Sequence, residues 1–366
     1  MTGIWKYGHL LPAVNDACRI SLGEGNTPLV RSRQLGPMLG LDNLYFKLES
    51  TNPSGSYKDR FAAAAIAHLL EAGTKTCFAT SSGNTGAALA AYSAAAGIQC
   101  FLLIVDGAPL GKLQQMQVYG AQTIMVKNFG KDFTVTKELM ERLTKTATEH
   151  NSPVQISAYS YSPLGMAGVQ GIAFEIAEAL PDENIQVFSP AGGGGLTLSI
   201  TEGFRIWKEN NAAFMQPKVH CVQPEGNNTI AGPLSEGVES AIGIPHSTTK
   251  ISGLQVPNVL DGDRVISSCR ATGGNGYTVT DALIYECQHQ MSTMEGIFSE
   301  PAGAVAFAGL RKALKKNEIN KNDHIVCLVT GSGFKDPNSA ATMAINADPV
   351  YVETVQGAFD CINSSM

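Results

Sequence analysis

The stretch Thr51-Asn-Pro-Ser-Gly-Ser-Tyr-Lys58-Asp-Arg60 places a lysine in a Gly/Ser-rich turn immediately before an alanine-rich segment. Residues 61–70, Phe-Ala-Ala-Ala-Ala-Ile-Ala-His-Leu-Leu, have helix-forming composition, so Lys58 is predicted at a helix N-terminus. Backbone N–H groups and the helix dipole disfavour a second positive charge there. We therefore expect a lowered pKa for Lys58, which favours the neutral, nucleophilic amine. The ordinary alternative is an exposed lysine at a helix start.

Three further turns follow segments that are predicted as strands. Ser81-Ser-Gly-Asn-Thr85 lies between an apolar run and a small-residue helix, where hydroxyl, amide and N–H groups can bind an anion. Pro190-Ala-Gly-Gly-Gly-Gly195 has the bare backbone that can wrap closely around a phosphate. Thr330-Gly-Ser-Gly-Phe-Lys-Asp336 ends a third strand, and open α/β sheets bind ligands at the carboxyl ends of their strands. Each turn alone is also compatible with an ordinary loop.

Composition excludes several classes of protein. The chain has 366 residues, of which 44% are hydrophobic and 16% charged, which is typical of a globular protein with sizeable cores. Its formal net charge of −6, with scattered lysines and arginines, gives no basic face for nucleic acid. No apolar segment reaches the roughly 18 residues that span a bilayer, and the N-terminus does not resemble a secretion signal. We therefore expect a cytoplasmic protein without nucleic-acid or membrane partners.

Cysteines and histidines do not form a recognisable metal or disulfide pattern. The eight cysteines are widely spaced and lack a C-x-x-C pair, so we expect buried free thiols rather than disulfides or metal ligands. The seven histidines include no H-E-x-x-H motif, and no metal site is predicted. Gly107-Ala-Pro-Leu-Gly-Lys112 looks like a P-loop, but it has three residues between its glycines and no Ser or Thr after the lysine. We predict no P-loop nucleotide site.

Short apolar runs alternate with helical patterns along the chain, and this rhythm predicts parallel sheets covered by helices. The string Thr272-Gly-Gly-Asn-Gly-Tyr277 is predicted as a flexible loop. The strand-like runs are residues 44–48, 76–80, 100–105, 123–126, 184–188, 219–222 and 325–329.

The four turns, taken in chain order, resemble the motifs of the fold-type-II pyridoxal-phosphate enzymes, which include threonine synthases, threonine and serine dehydratases and the tryptophan synthase β subunit. Within that family, Glu295-Gly-Ile-Phe-Ser-Glu-Pro-Ala-Gly-Ala304 is most similar to threonine synthases. The resemblance implies an α/β fold with two open parallel-sheet lobes flanked by helices. It also implies a large cofactor lobe of residues 1–60 and 150–366, a small inserted lobe of residues 61–149, and a homodimer.

The resemblance further implies how pyridoxal 5'-phosphate is held. Lys58 would carry the cofactor as a Schiff base and would move the Cα proton of the substrate. Asn84 would contact the ring hydroxyl, and Thr330 would face the pyridine nitrogen. A neutral threonine hydroxyl makes the ring a weaker electron sink, which favours elimination or replacement over transamination. The phosphate would be held by Gly192, Gly193, Gly194 and Gly195.

For the amino-acid substrate, the resemblance assigns the carboxylate to the turn of residues 81–85, with Ser82, Asn84 and Thr85 as contributors; Thr85 is alternatively a simple helix cap. Threonine synthases hold the phosphate of O-phosphohomoserine with a serine, a lysine, a second serine and an arginine. Matches to the first three are Ser81, Lys112 and Ser160, whereas Gly165 stands where the arginine is expected.

Three functions therefore stay open. The first is synthesis of threonine from O-phosphohomoserine, by elimination of phosphate and addition of water at Cβ. The second is β-elimination or β-replacement on serine, threonine, O-phosphoserine or an O-acyl amino acid, which the tetraglycine turn favours. The third is a non-catalytic binding protein on the same fold, which an intact Lys58 argues against.

Overall fold

The computed structural model describes residues 2–108, 110–181, 183–344 and 349–365, without the side chains of residues 110–112 and 365. Its strands are β1 (Leu29–Arg31), β2 (Leu44–Leu48), β3 (Thr76–Thr80), β4 (Gln99–Ile104), β5 (Gln122–Met125), β6 (Ile185–Pro190), β7 (Lys218–Pro224), β8 (Gly276–Val279) and β9 (His324–Val329). Its helices are α1 (Leu35–Leu39), α2 (Lys58–Glu71), α3 (Asn84–Ala96), α4 (Leu110–Val118), α5 (Phe133–Glu149), α6 (Pro163–Val169), α7 (Gly171–Ala179), α8 (Gly195–Asn210), α9 (Ala231–Ser235), α10 (Gly262–Ala271), α11 (Asp281–Glu295), α12 (Pro301–Lys315), α13 (Pro337–Met343) and α14 (Val355–Ser365).

The strands form two sheets. The larger has the order β1-β2-β9-β6-β7-β8, and the smaller has the order β3-β4-β5. Neighbouring strands are parallel except β1, which runs antiparallel to β2 at the edge of the larger sheet. The predicted α/β architecture of two parallel-sheet lobes is therefore confirmed, with one antiparallel edge strand that the sequence analysis did not predict.

The central strands have the continuous apolar sequence of strands that are covered on both faces. Every residue of β6 is buried, and all of β9 is buried except His324. One hydrophobic cluster packs α12 against β9, and a second packs α2, α7 and α8 around the other side of β6. Helices therefore cover both faces of the larger sheet, and its strand ends are left as the places where polar turns meet.

The two sheets support the domain division that the family resemblance suggests. We propose that residues 61–149 form the small lobe and that residues 1–60 and 150–366 form the large lobe. The strands β3, β4 and β5 lie inside the first range, whereas β1, β2 and β6 to β9 lie outside it.

The prediction of one flexible loop is partly wrong. The string from Thr272 to Tyr277 was expected to be flexible, but its last two residues begin β8. A Cβ atom at Gly274 would lie 1.9 Å from the carbonyl oxygen of Val219, and one at Gly276 would lie 1.8 Å from that of Ala231. These glycines therefore allow close packing of backbone on backbone, a reason for glycine that composition cannot distinguish from flexibility.

The cysteines lack disulfides, and six of them are buried as predicted, whereas Cys18 and Cys361 are only half-buried. In the described part of the chain, no three His, Cys, Asp or Glu side chains are grouped so that they could hold a metal ion. None of the described helices has both the length and the apolar character needed to cross a membrane.

A buried ion cluster fixes the start of α2. The guanidinium of Arg60 donates two hydrogen bonds to Glu49, both of 2.8 Å, and two to Glu175, of 2.7 and 2.8 Å. Lys47 Nζ, on β2, donates to Glu175 Oε2 at 2.6 Å. Burial by itself would raise the pKa of Glu175, but Arg60 and Lys47 lower it to about 2. Two cations and two carboxylates thus neutralise one another inside the protein and tie α2 to β2 and α7.

We predict that Arg60→Leu destabilises the protein strongly, because it leaves two buried carboxylates without their main partner. The expected loss of unfolding free energy is about 3–5 kcal/mol. Urea denaturation followed by circular dichroism measures it. The control is Arg205→Leu, which breaks exposed ion pairs with Glu202 and Glu209 and should cost at most about 1 kcal/mol. Equal effects of the two substitutions would contradict the assigned role of Arg60.

Candidate active site

A cavity of about 1520 Å³ lies where the polar turns converge. Its lining includes Lys58, the turn of residues 80–84, the glycines 192–195 and Thr330. These segments follow β3, β6 and β9 or begin α2, so the cavity occupies the carboxyl ends of parallel strands. A single small ligand typically fills a pocket of about 300–1,000 Å³, so this cavity has room for a cofactor and a substrate together.

Lys58 is the first residue of α2, as predicted. Its Nζ donates a 2.7 Å hydrogen bond to Ser157 Oγ and lies 4.4 Å from the centroid of the Tyr57 ring. Burial lowers the pKa of Lys58 to about 7, against a smaller opposing effect of Glu300. The sequence analysis predicted the direction of this shift correctly, but attributed it to the helix N-terminus rather than to burial. Near neutral pH, a large share of this amine is therefore unprotonated.

Ser157 connects the lysine to the polar turn after β3. Its Oγ lies 3.1 Å from Thr85 Oγ1 while also accepting from Lys58. Ser157 lines the cavity, whereas Thr85 is buried just behind the lining. Sequence reasoning missed Ser157 because it belongs to a loop that only the tertiary fold brings to Lys58, and no local motif marks it.

The turn of residues 81–85 is organised by its first hydroxyl. Ser81 Oγ accepts hydrogen bonds from the backbone N–H groups of Gly83, at 3.3 Å, and Gly86, at 3.1 Å. Ser81 and Ser82 both line the cavity. Because α3 begins at Asn84, the turn presents a helix N-terminus to the cavity, which is a suitable environment for a carboxylate.

Asn84 is held by a residue that the sequence analysis quoted but did not assign. Its Nδ2 donates to both carboxylate oxygens of Glu300, at 2.9 and 3.2 Å. Glu300 is buried, lines the cavity and precedes α12. The sequence segment 295–304 shows Glu300 between Ser299 and a proline. It does not show that Glu300 pairs with Asn84, because this pairing depends on contact between distant parts of the chain.

The glycines 192–195 lead into α8, a helix of 16 residues. Gly194 has φ of +98°, a conformation that favours glycine. A Cβ atom at Gly193 would come within 2.8 Å of Leu260 Cδ1, and one at Gly194 within 2.7 Å of Val265 Cγ2. The turn therefore needs glycine, and its bare N–H groups at a helix N-terminus form an environment suited to a phosphate.

Thr330 lies at the end of β9 on the cavity wall. Its carbonyl oxygen accepts a 3.0 Å hydrogen bond from Tyr57 N, which joins this strand end to the lysine turn. Its Oγ1 is buried and has no hydrogen-bond partner among the described residues. A buried hydroxyl without a partner costs free energy, so its position on the wall points to a ligand atom.

Lys112 and Ser160, assigned to the distal phosphate, and Gly165, which replaces the expected arginine, lie in different parts of the fold. Lys112 is in the first turn of α4, and its side chain lies outside the described residues. Ser160 is exposed and does not line the cavity; its backbone N donates to the buried Asp261 at 3.1 Å. Gly165 is inside α6, where a Cβ atom would come within 2.6 Å of Phe61 Cε2 on α2. The structure thus places Ser81 on the cavity, but neither Ser160 nor Gly165.

Comparisons with known proteins identify the family of this chain. A family model described as pyridoxal-phosphate dependent enzyme matches residues 20–331. Threonine synthase of Methanocaldococcus jannaschii is 34% identical over 358 residues, covering 96% of this chain and 84% of that protein. Threonine synthase of Halalkalibacterium halodurans is 32% identical over 356 residues, covering 97% of this chain and 95% of that protein. The processed form of threonine deaminase isoform 2 from Solanum lycopersicum shares the fold, with a TM-score of 0.73 at 20% identity and 94% coverage of both chains.

The fold and the site define a fold-type-II enzyme with a lysine at the start of its second helix. The chain belongs to the pyridoxal-phosphate-dependent enzymes and, within them, to the threonine synthase family of lyases.

The residues of the cavity fit this cofactor. The partnerless Thr330 hydroxyl, the half-neutral Lys58 amine and the bare glycine turn at the start of α8 are three separate features that a phosphorylated pyridine aldehyde would satisfy. All three features line the same cavity, and no single structural role accounts for all of them.

The lowered pKa of Lys58 predicts a pH profile for cofactor binding. Only the neutral amine attacks an aldehyde, so the rate of pyridoxal-phosphate incorporation into the apoprotein should rise with pH and level off above about pH 8. Absorbance spectroscopy of the lysine-bound cofactor measures this rate. Free Nα-acetyl-lysine is the control. A protein rate that keeps rising towards the ordinary lysine pKa of 10.5 would contradict the shift.

The tight packing of Gly165 against α2 gives a second prediction, which concerns whether any side chain fits at this position. Ala is normally favoured over Gly in a helix by about 1 kcal/mol. Gly165→Ala should nevertheless destabilise the protein by about 1–3 kcal/mol, since its Cβ would overlap Phe61 and approach Ala65 Cβ to 3.0 Å.

Gly357→Ala in α14 is the control for this substitution, because its nearest Cβ contact, 3.3 Å from Thr354 Oγ1, is much longer than 2.6 Å and the change should cost less than Gly165→Ala. Thermal unfolding of both variants distinguishes these outcomes. A stable Gly165→Ala variant would mean that α6 can move and that a larger residue fits there.

Proposed function

We propose that this enzyme makes threonine from O-phosphohomoserine. The observation that carries the proposal is the continuous link from Lys58 Nζ through Ser157 to Thr85, which joins the proton-transfer lysine to the predicted carboxylate turn. The two threonine synthase relatives, each aligned over nearly the whole chain, support the same reaction.

The cofactor would be held by residues from both proposed lobes. When bound, pyridoxal phosphate supplies an electron sink that acidifies the Cα–H bond of an amino acid. Gly192 to Gly195 would hold its phosphate, Asn84 its ring hydroxyl, and Thr330 its pyridine nitrogen. Lys58 would hold it covalently. Glu300 fixes the amide of Asn84 with two hydrogen bonds, so this contact is oriented in advance.

Lys58 can move protons during the reaction because its pKa lies near neutrality. A base with pKa of about 7 is available in both protonation states at physiological pH, which suits removal of a proton at Cα and its later return to the substrate. Ser157 Oγ, 2.7 Å from Nζ, orients the amine. The turn of residues 81–85 would hold the substrate carboxylate through the N-terminus of α3.

The overall reaction consumes one water and releases one inorganic phosphate for each threonine formed. The C–O bond between Cγ and the phosphate oxygen breaks, and the hydroxyl of water is added at Cβ. The hydroxyl of Thr330 is neutral, so the pyridine ring beside it would be a weaker electron sink. This favours elimination and replacement over transamination.

A second candidate is β-elimination or β-replacement on another amino acid, such as serine, threonine, O-phosphoserine or an O-acyl amino acid. The positions of Ser160 and Gly165 away from the cavity favour it, because they remove two of the four expected contacts to the distal phosphate. Release of ammonia and a 2-oxo acid would identify its elimination branch. The homodimer stays a prediction from the family resemblance, and the cytoplasmic location stays a prediction from the amino-acid sequence.

Turnover of O-phosphohomoserine tests the proposal. The purified holoenzyme should release inorganic phosphate and threonine in equal amounts, measured together by colorimetry and amino-acid chromatography. Lys58→Ala should lose threonine production entirely, because no other described side chain occupies its place. Phosphate release without threonine, or an active Lys58→Ala variant, would contradict the proposal. A wild-type holoenzyme that does not turn over O-phosphohomoserine but does turn over serine would support the second candidate.

A further inference from the structure

The cavity needs a cation for the distal phosphate of the proposed substrate. Among the described side chains, the positively charged ones on its lining are Lys58, Lys250 and Lys335. Lys58 is assigned to the cofactor, and Lys250 is exposed. Lys335 is partly buried and belongs to the short helix Gly333–Lys335, which follows Thr330 at the end of β9.

The ammonium of Lys335 reaches from this helix to α4. Its Nζ donates a 2.6 Å hydrogen bond to Gln115 Oε1. The amide of Gln115 is itself held in place, since its Nε2 donates to the carbonyl oxygen of Ser54 at 3.1 Å and to Tyr119 OH at 3.3 Å. Lys335 therefore has a defined position, with a neutral amide as its hydrogen-bond acceptor.

Among the described residues, no carboxylate lies close enough to pair with the positive charge of Lys335. No described Asp or Glu oxygen lies within 4.0 Å of its Nζ. Burial lowers the pKa of Lys335, and the more distant Glu300 and Asp59 offset part of that effect. A desolvated cation with one neutral partner gains most from an anion that enters the cavity.

The location of Lys335 also fits a distal anion. Gln115, its hydrogen-bond acceptor, is on α4, and both Gln115 and Lys335 line the cavity. Lys335 thus reaches the part of the cavity wall that α4 contributes. Gly55 leaves space for this side chain, because a Cβ atom there would lie 3.2 Å from Lys335 Cε.

We propose that Lys335 binds the distal phosphate of the substrate and supplies the cationic contact that Gly165 cannot. This inference rests on the proposed function for the identity of the anion. Lys335 would exchange its neutral partner Gln115 for a dianion, and the contact would select phosphorylated over uncharged amino acids. Lys335 is a specificity-determining residue in this proposal.

A purely structural role makes a different prediction. If Lys335 only connects its helix to α4, then Lys335→Met and Gln115→Leu should have the same effect, because each breaks the 2.6 Å hydrogen bond. If Lys335 binds an anion, Gln115→Leu should leave phosphate binding intact or stronger, since it removes only the competing acceptor.

Calorimetric titration of the holoenzyme with inorganic phosphate tests the inference, since pyridoxal phosphate already fills the glycine turn. Lys335→Met should raise the Kd for phosphate at least about tenfold, and Lys335→Arg should restore most of the affinity. The control is Lys208→Met, which removes an exposed lysine about 20 Å along α8 from the glycine turn and should change the Kd less than about twofold.

Two results would overturn the inference. The first is a wild-type holoenzyme that binds no phosphate, and the second is a Lys335→Met variant that matches Lys208→Met. Circular dichroism confirms that each variant is folded, and Lys335→Arg separates loss of charge from loss of packing.

Steady-state kinetics separate this inference from the proposed function. If phosphate binding depends on Lys335 but O-phosphohomoserine gives no threonine, the anion site stands and the proposed function fails. If threonine forms and Lys335→Met leaves KM for O-phosphohomoserine unchanged, the proposed function stands and the role of Lys335 fails.

Discussion

The buried contact of Arg60 with Glu49 and Glu175 is the constraint on which the site depends. Arg60 lies two residues after Lys58, in the first turn of α2, and its side chain is fully buried. Glu49 follows β2 directly and Glu175 lies in α7, so the guanidinium fixes the start of α2 to two other elements of the fold. A lysine that must meet a cofactor within a fraction of an ångström needs this kind of support, because its own four-carbon chain is flexible.

The same arrangement explains the chemistry expected of Lys58. Its amine is kept partly neutral by burial, and Ser157 holds it by a hydrogen bond that does not add a charge. A carboxylate at 2.7 Å would instead have stabilised the ammonium and raised its pKa. Glu300, an acid whose charge acts on Lys58, accepts hydrogen bonds from the amide of Asn84. The carboxylate of Glu300 is therefore held by an amide rather than by the nucleophile, and the N-termini of α3 and α8 face the cavity where an anion can bind.

Sequence patterns predicted the parts of this site that are local. The start of α2 at Lys58, the turn before Asn84 and the glycines before α8 each depend on the composition of about ten consecutive residues. Ser157 and Gln115 could not be predicted in this way, because their roles arise only when distant segments pack together. Glycine was the most ambiguous residue. The same residue type gives positive φ at Gly194, close helix packing at Gly165 and backbone contact at Gly276, and composition does not distinguish these causes.

Chemical mapping of the cofactor lysine tests the central claim most directly. The holoenzyme would be reduced with borohydride, digested, and analysed by mass spectrometry for the peptide that carries the pyridoxyl group. Our account predicts modification at Lys58 alone, since this amine combines a lowered pKa with a fixed position in the cavity. Modification of another cavity lysine, such as Lys335 or Lys250, would contradict it and would require a different assignment of every contact around the cofactor.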